Sequence, residues 1–152
     1  IGKPALLRMG QTLELEGEWE EAQRYLKLYA LLFPEDPRAA DALHRIGKGL
    51  RGLGSEESQI PFRLAAEFYP ATLAGAISAV DMAWTWPGRD KVRSALRAIR
   101  DCPGLPDAVL ERGLGLALTH SDWLASESDR DWASKRYRAA FPLGPHADKA
   151  QK

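Results

Sequence analysis

A single cysteine, Cys102, stands among 152 residues, so the chain can form no internal disulfide and no cysteine-based metal site. That scarcity suits the cytosol, and equally a periplasmic protein stable without bridges. Histidine is nearly as sparse. His44, His120 and His146 are far apart, none has a second histidine or a cysteine three or four residues on, and no HExxH pattern exists. No metal and no cofactor are therefore expected. No apolar run reaches the length of a membrane span, and no signal-peptide pattern opens the chain. Charge of one sign is missing too: 21 basic residues balance 21 acidic ones, which argues against a global pull on nucleic acid or an anionic membrane. Neither GxSxG, a P-loop nor GxGxxG occurs, so no enzymatic activity is expected. Strand-like alternation is absent as well, which leaves an all-helical reading.

What is present is a repeat. Residues 5–17 read ALLRMGQTLELEG and residues 42–54 read ALHRIGKGLRGLG. At an offset of 37, the pairs Ala5/Ala42, Leu6/Leu43, Arg8/Arg45, Gly10/Gly47, Leu13/Leu50 and Gly17/Gly54 are identical. A period of this length means one supersecondary unit used again, stacked on its copy because it cannot bury its apolar face alone. The spacing of apolar residues predicts helices over 5–16, 18–33, 38–53, 72–86, 90–101, 107–119 and 126–141. A further helix, capped by Ser55 or Ser58, is expected to start late or kinked because Pro61 sits in its first turns. Gly17 and Gly54 end the first helix of each copy. Pro34, Pro70, Pro103 and Pro142 close the second helices, three of them after an aromatic (Phe33, Tyr69, Phe141). The expected fold is all-α, a right-handed superhelical stack of about four helix-turn-helix pairs. Its repeats are 3–36, 37–70, 71–106 and 107–142 in a single domain, with 143–152 as a polar tail. The chain opens on Ile1-Gly2-Lys3 without a methionine, so it is read as a mature or excised piece of a longer polypeptide.

Several residue types could carry chemistry, and each has a structural reading. Glu20-Glu21 and Glu56-Glu57 open second helices, where negative charge meets the positive end of the dipole; Asp129 and Asp131 have the same explanation. Gly113-Leu114-Gly115 lies in a helical pattern, where close packing accounts for the glycines. Cys102 falls at a helix C-terminus, the wrong end to activate a thiol. Five tryptophans, Trp19, Trp84, Trp86, Trp123 and Trp132, are read as core unless exposed, when they become binding anchors. Arg8 and Arg45 are expected to brace one repeat against the next.

Gly17-Glu18-Trp19-Glu20-Glu21-Ala22, then Tyr25 and Phe33-Pro34, resembles the tetratricopeptide repeat, with Gly10 as the small residue of the first helix. Residues 39–70 match it through Gly47, Gly54, Ala65 and Pro70, with Ser58 or Gln59 where alanine is the rule. Residues 71–142 keep only the rhythm. The phrase FPEDPRAADAL, followed by FYP, is similar to the variant found in bacterial envelope proteins such as outer-membrane assembly lipoproteins. The resemblance implies a non-catalytic scaffold for a protein or peptide partner, in the periplasm or cell envelope, with the cytoplasm as the alternative. By analogy with the family's ligand-facing positions, first helices would line the partner groove. Repeat one would offer Leu7, Gln11 and Glu14; repeat two His44, Lys48 and Arg51; the later repeats Ala76, Val80, Leu110 and Leu114. Such a groove would suit a peptide carrying an acidic residue. Trp132 with YRAAFPL at 137–143 also resembles the end of the helical region of soluble lytic transglycosylases, which would make the chain an accessory domain of an enzyme. A structural subunit of a larger assembly is the third reading.

Overall fold

The computed structural model describes residues 2–151, and among these the regular structure is helical with no strand. The helices are α1 (Lys3–Glu16), α2 (Trp19–Leu32), α3 (Arg38–Gly52), α4 (Gln59–Phe68), α5 (Leu73–Thr85), α6 (Arg89–Asp101), α7 (Asp107–Thr119), α8 (Glu127–Ala140) and the one-turn α9 (Ala147–Ala150). Short 3-10 turns at Glu56–Ser58 and Ser121–Trp123 precede α4 and α8. The chain divides into two compact units, residues 1–78 and 79–152, and the boundary falls within α5.

In the first unit the repeated glycines have defined tasks. Gly17 and Gly54 adopt φ of 83° and 72°, the left-handed conformation that only glycine enters at little cost. Each closes its helix with the same pair of bonds. Gly17 N–H donates to the Glu14 carbonyl and Glu18 N–H to that of Leu13; Gly54 and Ser55 repeat this onto Arg51 and Leu50. Gly10 and Gly47 are contact points. A Cβ on Gly10 would lie 2.8 Å from the Leu26 side chain on α2, and one on Gly47 would lie 2.6 Å from the Phe62 ring on α4. Leu26 and Phe62 are fully buried, so each helical pair closes on one large side chain seated over one glycine. Burying either residue is worth about 1.5–3 kcal/mol. The core joins Leu6, Leu7, Leu26, Tyr29, Ala39, Ala42 and Ile46, from α1, α2 and α3.

Helix α4 starts at Gln59, after the 3-10 turn that the Ser55 hydroxyl caps by accepting from Glu57 N–H. Pro61 then occupies the first turn, where no carbonyl waits for its missing N–H.

The second unit is built around Val92, Ala95, Leu96 and Ile99 of α6, Val109, Leu110, Leu114 and Ala117 of α7, and Ala133 and Tyr137 of α8. Gly113 packs differently from its counterpart Gly47. Its nearest neighbours are Ile99 and Val80, on helices that precede it. The turn after α8 repeats the turn after α2. Tyr29 and Phe33 have ring centroids 5.4 Å apart at 53°, and Tyr137 and Phe141 have theirs 5.4 Å apart at 52°. Asp36 N–H donates to the Phe33 carbonyl, as Gly144 N–H does to that of Phe141. Residues 143–152, expected as a polar tail, therefore contain α9, whose Ala150 is buried. His146 packs edge-on to Tyr137, and its N–H donates to the Tyr137 hydroxyl.

Candidate functional site

The six groove residues expected from the sequence divide into two sets. Leu7 is buried in the core. Gln11 and Glu14 face α3: the Gln11 amide reaches Asp41 at 3.4 Å, and Glu14 accepts from Arg45 Nη1 at 2.6 Å. Arg45 also donates through Nε to Asp41 at 2.8 Å, so one guanidinium ties α1 to α3. The second set keeps some surface. Lys48 is exposed, and His44 and Arg51 are half-buried about Phe62, with the His44 ring 5.7 Å and the Arg51 guanidinium 5.5 Å from its centroid. Of the later positions, Ala76, Val80, Leu110 and Leu114 are buried.

The other candidates take structural roles. Glu20 and Glu21 lie in the first turn of α2, and Glu56 and Glu57 form the turn before α4. Asp129 pairs with Arg100 at 2.6 Å, and the same guanidinium lies 4.7 Å from the Trp132 ring. His120 stacks on Trp123 with centroids 4.0 Å apart. Trp19 and Trp84 are exposed, which by the sequence reading leaves them as candidate binding anchors, whereas Trp86, Trp123 and Trp132 are half-buried. No group of three or more metal-ligating side chains gathers among the described residues.

Asp36 is a heavily bonded carboxylate. It is buried in the turn between α2 and α3 and receives Arg38 through Nε, Nη2 and its backbone N–H, Lys3 Nζ at 2.6 Å, and the Tyr29 hydroxyl at 2.8 Å. The Arg38 guanidinium first, then the Lys3 ammonium and the Arg38 N–H, hold its carboxyl well below the usual carboxylate range; burial opposes them and loses. Each partner stabilises the ionised form, so the cluster ties the turn to Lys3 of α1, Tyr29 of α2 and Arg38 of α3.

A surface cleft of the first unit lies on its second helices. Its volume is about 930 Å3, and it is floored by Leu43 and Ile46 of α3 and walled by Leu28 and Leu31 of α2 and Leu64 and Phe68 of α4. Leu31 is 79% exposed and Phe68 70%, high values for such large apolar side chains. Arg24 and Lys27 edge the cleft on the α2 side, and Glu35 closes it beyond Pro34. The sequence expectation passed over this place because family analogy directs attention to first helices. A signal existed: the stretch LKLYALLF at 26–33 is apolar on more than one helix face, which a single buried stripe does not require.

No family model, no curated protein and no solved structure matches the chain.

Proposed function

We propose that the chain is a non-catalytic protein-binding scaffold of tetratricopeptide-like helix pairs, stacked as a right-handed superhelix and serving a multiprotein complex of a bacterial envelope. The observation that carries this reading is the α2/α3/α4 cleft. An open apolar groove edged by charged side chains is a common form of docking surface, and this one supports the reading. The paired closures of Gly10 on Leu26 and Gly47 on Phe62 support the repeat architecture, and FPEDPRAADAL supports the envelope assignment by resemblance. Lys48, with Arg51 and His44 beside it, is the second surface open to a partner, one suited to an acidic residue.

Affinity capture from a lysate of the source tests the proposal with three baits: the native chain, Leu31→Asp, and Lys48→Glu/Arg51→Glu. A protein retained by the native chain and lost with Leu31→Asp supports docking in the cleft. Loss with the charge-reversed form alone moves the site to α3. The same recovery by all three baits counts against both surfaces. A structural subunit is the second reading, favoured by the exposed Leu15, Leu32, Leu53 and Ile60 beyond the cleft. It requires the captured protein to stay bound through purification at high salt.

A further inference from the structure

The order of charge along the cleft says more about its occupant. Glu20 and Glu21, in the first turn of α2, stand outside its lining. Among the charged side chains that line it, exposed Arg24 and Lys27 of α2 come first, the apolar Leu28 and Leu31 follow, and exposed Glu35 lies just past the helix end. Among the described residues none of these three charged side chains is held in an ion pair, whereas Lys3, Arg38 and Arg45 nearby are. The pattern is antisymmetric about its apolar centre, positive at one end and negative at the other.

A surface of this kind complements itself. Turned by a two-fold axis that crosses α2 near Leu28 and Leu31, a second α2 runs antiparallel to the first. Its Glu35 then meets Arg24 and Lys27, and its Arg24 and Lys27 meet Glu35. The exposed Leu28–Leu31 ridges of the two copies pack against each other across the axis and cover the mouths of both clefts. Isologous two-fold contact is the commonest way for identical chains to associate, and it demands this kind of self-complementary patch.

We propose that the occupant of the cleft is a second copy of this chain, bound through antiparallel α2 helices with the Arg24–Lys27 pair facing Glu35 across the two-fold. This rests on the reading of the cleft as a docking surface and gives that surface its partner. The interface combines an apolar centre with charged ends, the arrangement in which apolar burial supplies affinity and the charges fix register.

Sedimentation equilibrium of the whole chain at micromolar concentration, with circular dichroism as the check on folding, is the test. Leu31, Arg24, Lys27 and Glu35 are exposed, so their replacement leaves the helical spectrum unchanged. The native chain is expected to be a dimer, weakened roughly tenfold or more by Leu31→Asp, by Glu35→Arg and by Arg24→Glu/Lys27→Glu. The form combining Glu35→Arg with Arg24→Glu/Lys27→Glu is expected to recover most of the native affinity, because reversal at both ends restores the pairing. A monomeric native chain overturns the proposal, and so does a dimer indifferent to Leu31→Asp. Loss with Leu31→Asp but not with the charge reversals overturns the antiparallel register, as does a combined form that fails to recover. A monomer that still captures a Leu31-dependent protein defeats the dimer alone. A monomer with no such protein defeats the docking surface as well.

Discussion

Glycine 47 illustrates how little room the packing leaves. A methyl group there would stand 2.6 Å from the Phe62 ring, which is fully buried and cannot swing aside. A methyl group on Gly10 would meet the equally buried Leu26 at 2.8 Å from Cδ2 and 2.9 Å from Cγ. Gly47→Ala and Gly10→Ala are therefore each expected to cost about 1–3 kcal/mol, read by chemical denaturation of both variants. A cost near zero at either position would mean that the buried neighbour yields to the methyl group. Asp36 sets a pH dependence at the same scale. Its folded carboxyl stays ionised well below the ordinary value, so its stabilisation is complete above about pH 4 and drains away as the pH falls further. Asp36→Asn should lower stability at pH 7, and the gap to the native chain should narrow on acidification below that point. Thermal melts across the range check this; a constant gap would show that the ionised form contributes nothing.

Among the elements, helix boundaries were the most legible part of the sequence, because the signals that set them are local. Gly17, Gly54 and the aromatic–proline pairs at Phe33-Pro34 and Phe141-Pro142 stop helices by backbone geometry, and α7 runs over 107–119 as the periodicity predicts. Partners between helices were less legible, since they depend on which faces meet. Arg45 was expected to brace the repeats, and its guanidinium does bridge Glu14 of α1 and Asp41 of α3. Arg8, its counterpart at the same place in the repeat, is exposed. Arg45→Ala should then cost about 1–3 kcal/mol, leaving the mostly buried Glu14 carboxylate without its cation, while Arg8→Ala changes stability little. Comparable losses from the two would remove the α1–α3 bridge from the account. Gly113 shows the same limit. It occupies a position like that of Gly47 by sequence, yet its contacts are Ile99 and Val80, because the neighbours that choose a glycine's role are distant in the chain.

For the molecule as a whole, the all-helical class followed from composition and periodicity, while the open cleft did not. Leu31 belongs to the stretch 26–33 that is apolar on more than one face, but only α3, flooring the space between Leu31 and Phe68, makes that surplus a cleft. Six groove residues were expected on α1 and α3, and three of them, Leu7, Gln11 and Glu14, are engaged in joining those helices. The free apolar surface lies instead on α2 and α4, and its exposure is what a docking role requires. Photo-crosslinking measures that role directly, without knowledge of the partner. A diazirine amino acid placed at position 31 or 68 of the chain in its native cell should yield a protein adduct, of doubled mass if the partner is a second copy. The same group at the exposed Leu143 serves as the control. Adducts from 31 and 68 above the yield from 143 are the predicted result; yields no greater than that control would contradict the cleft as a protein-docking surface.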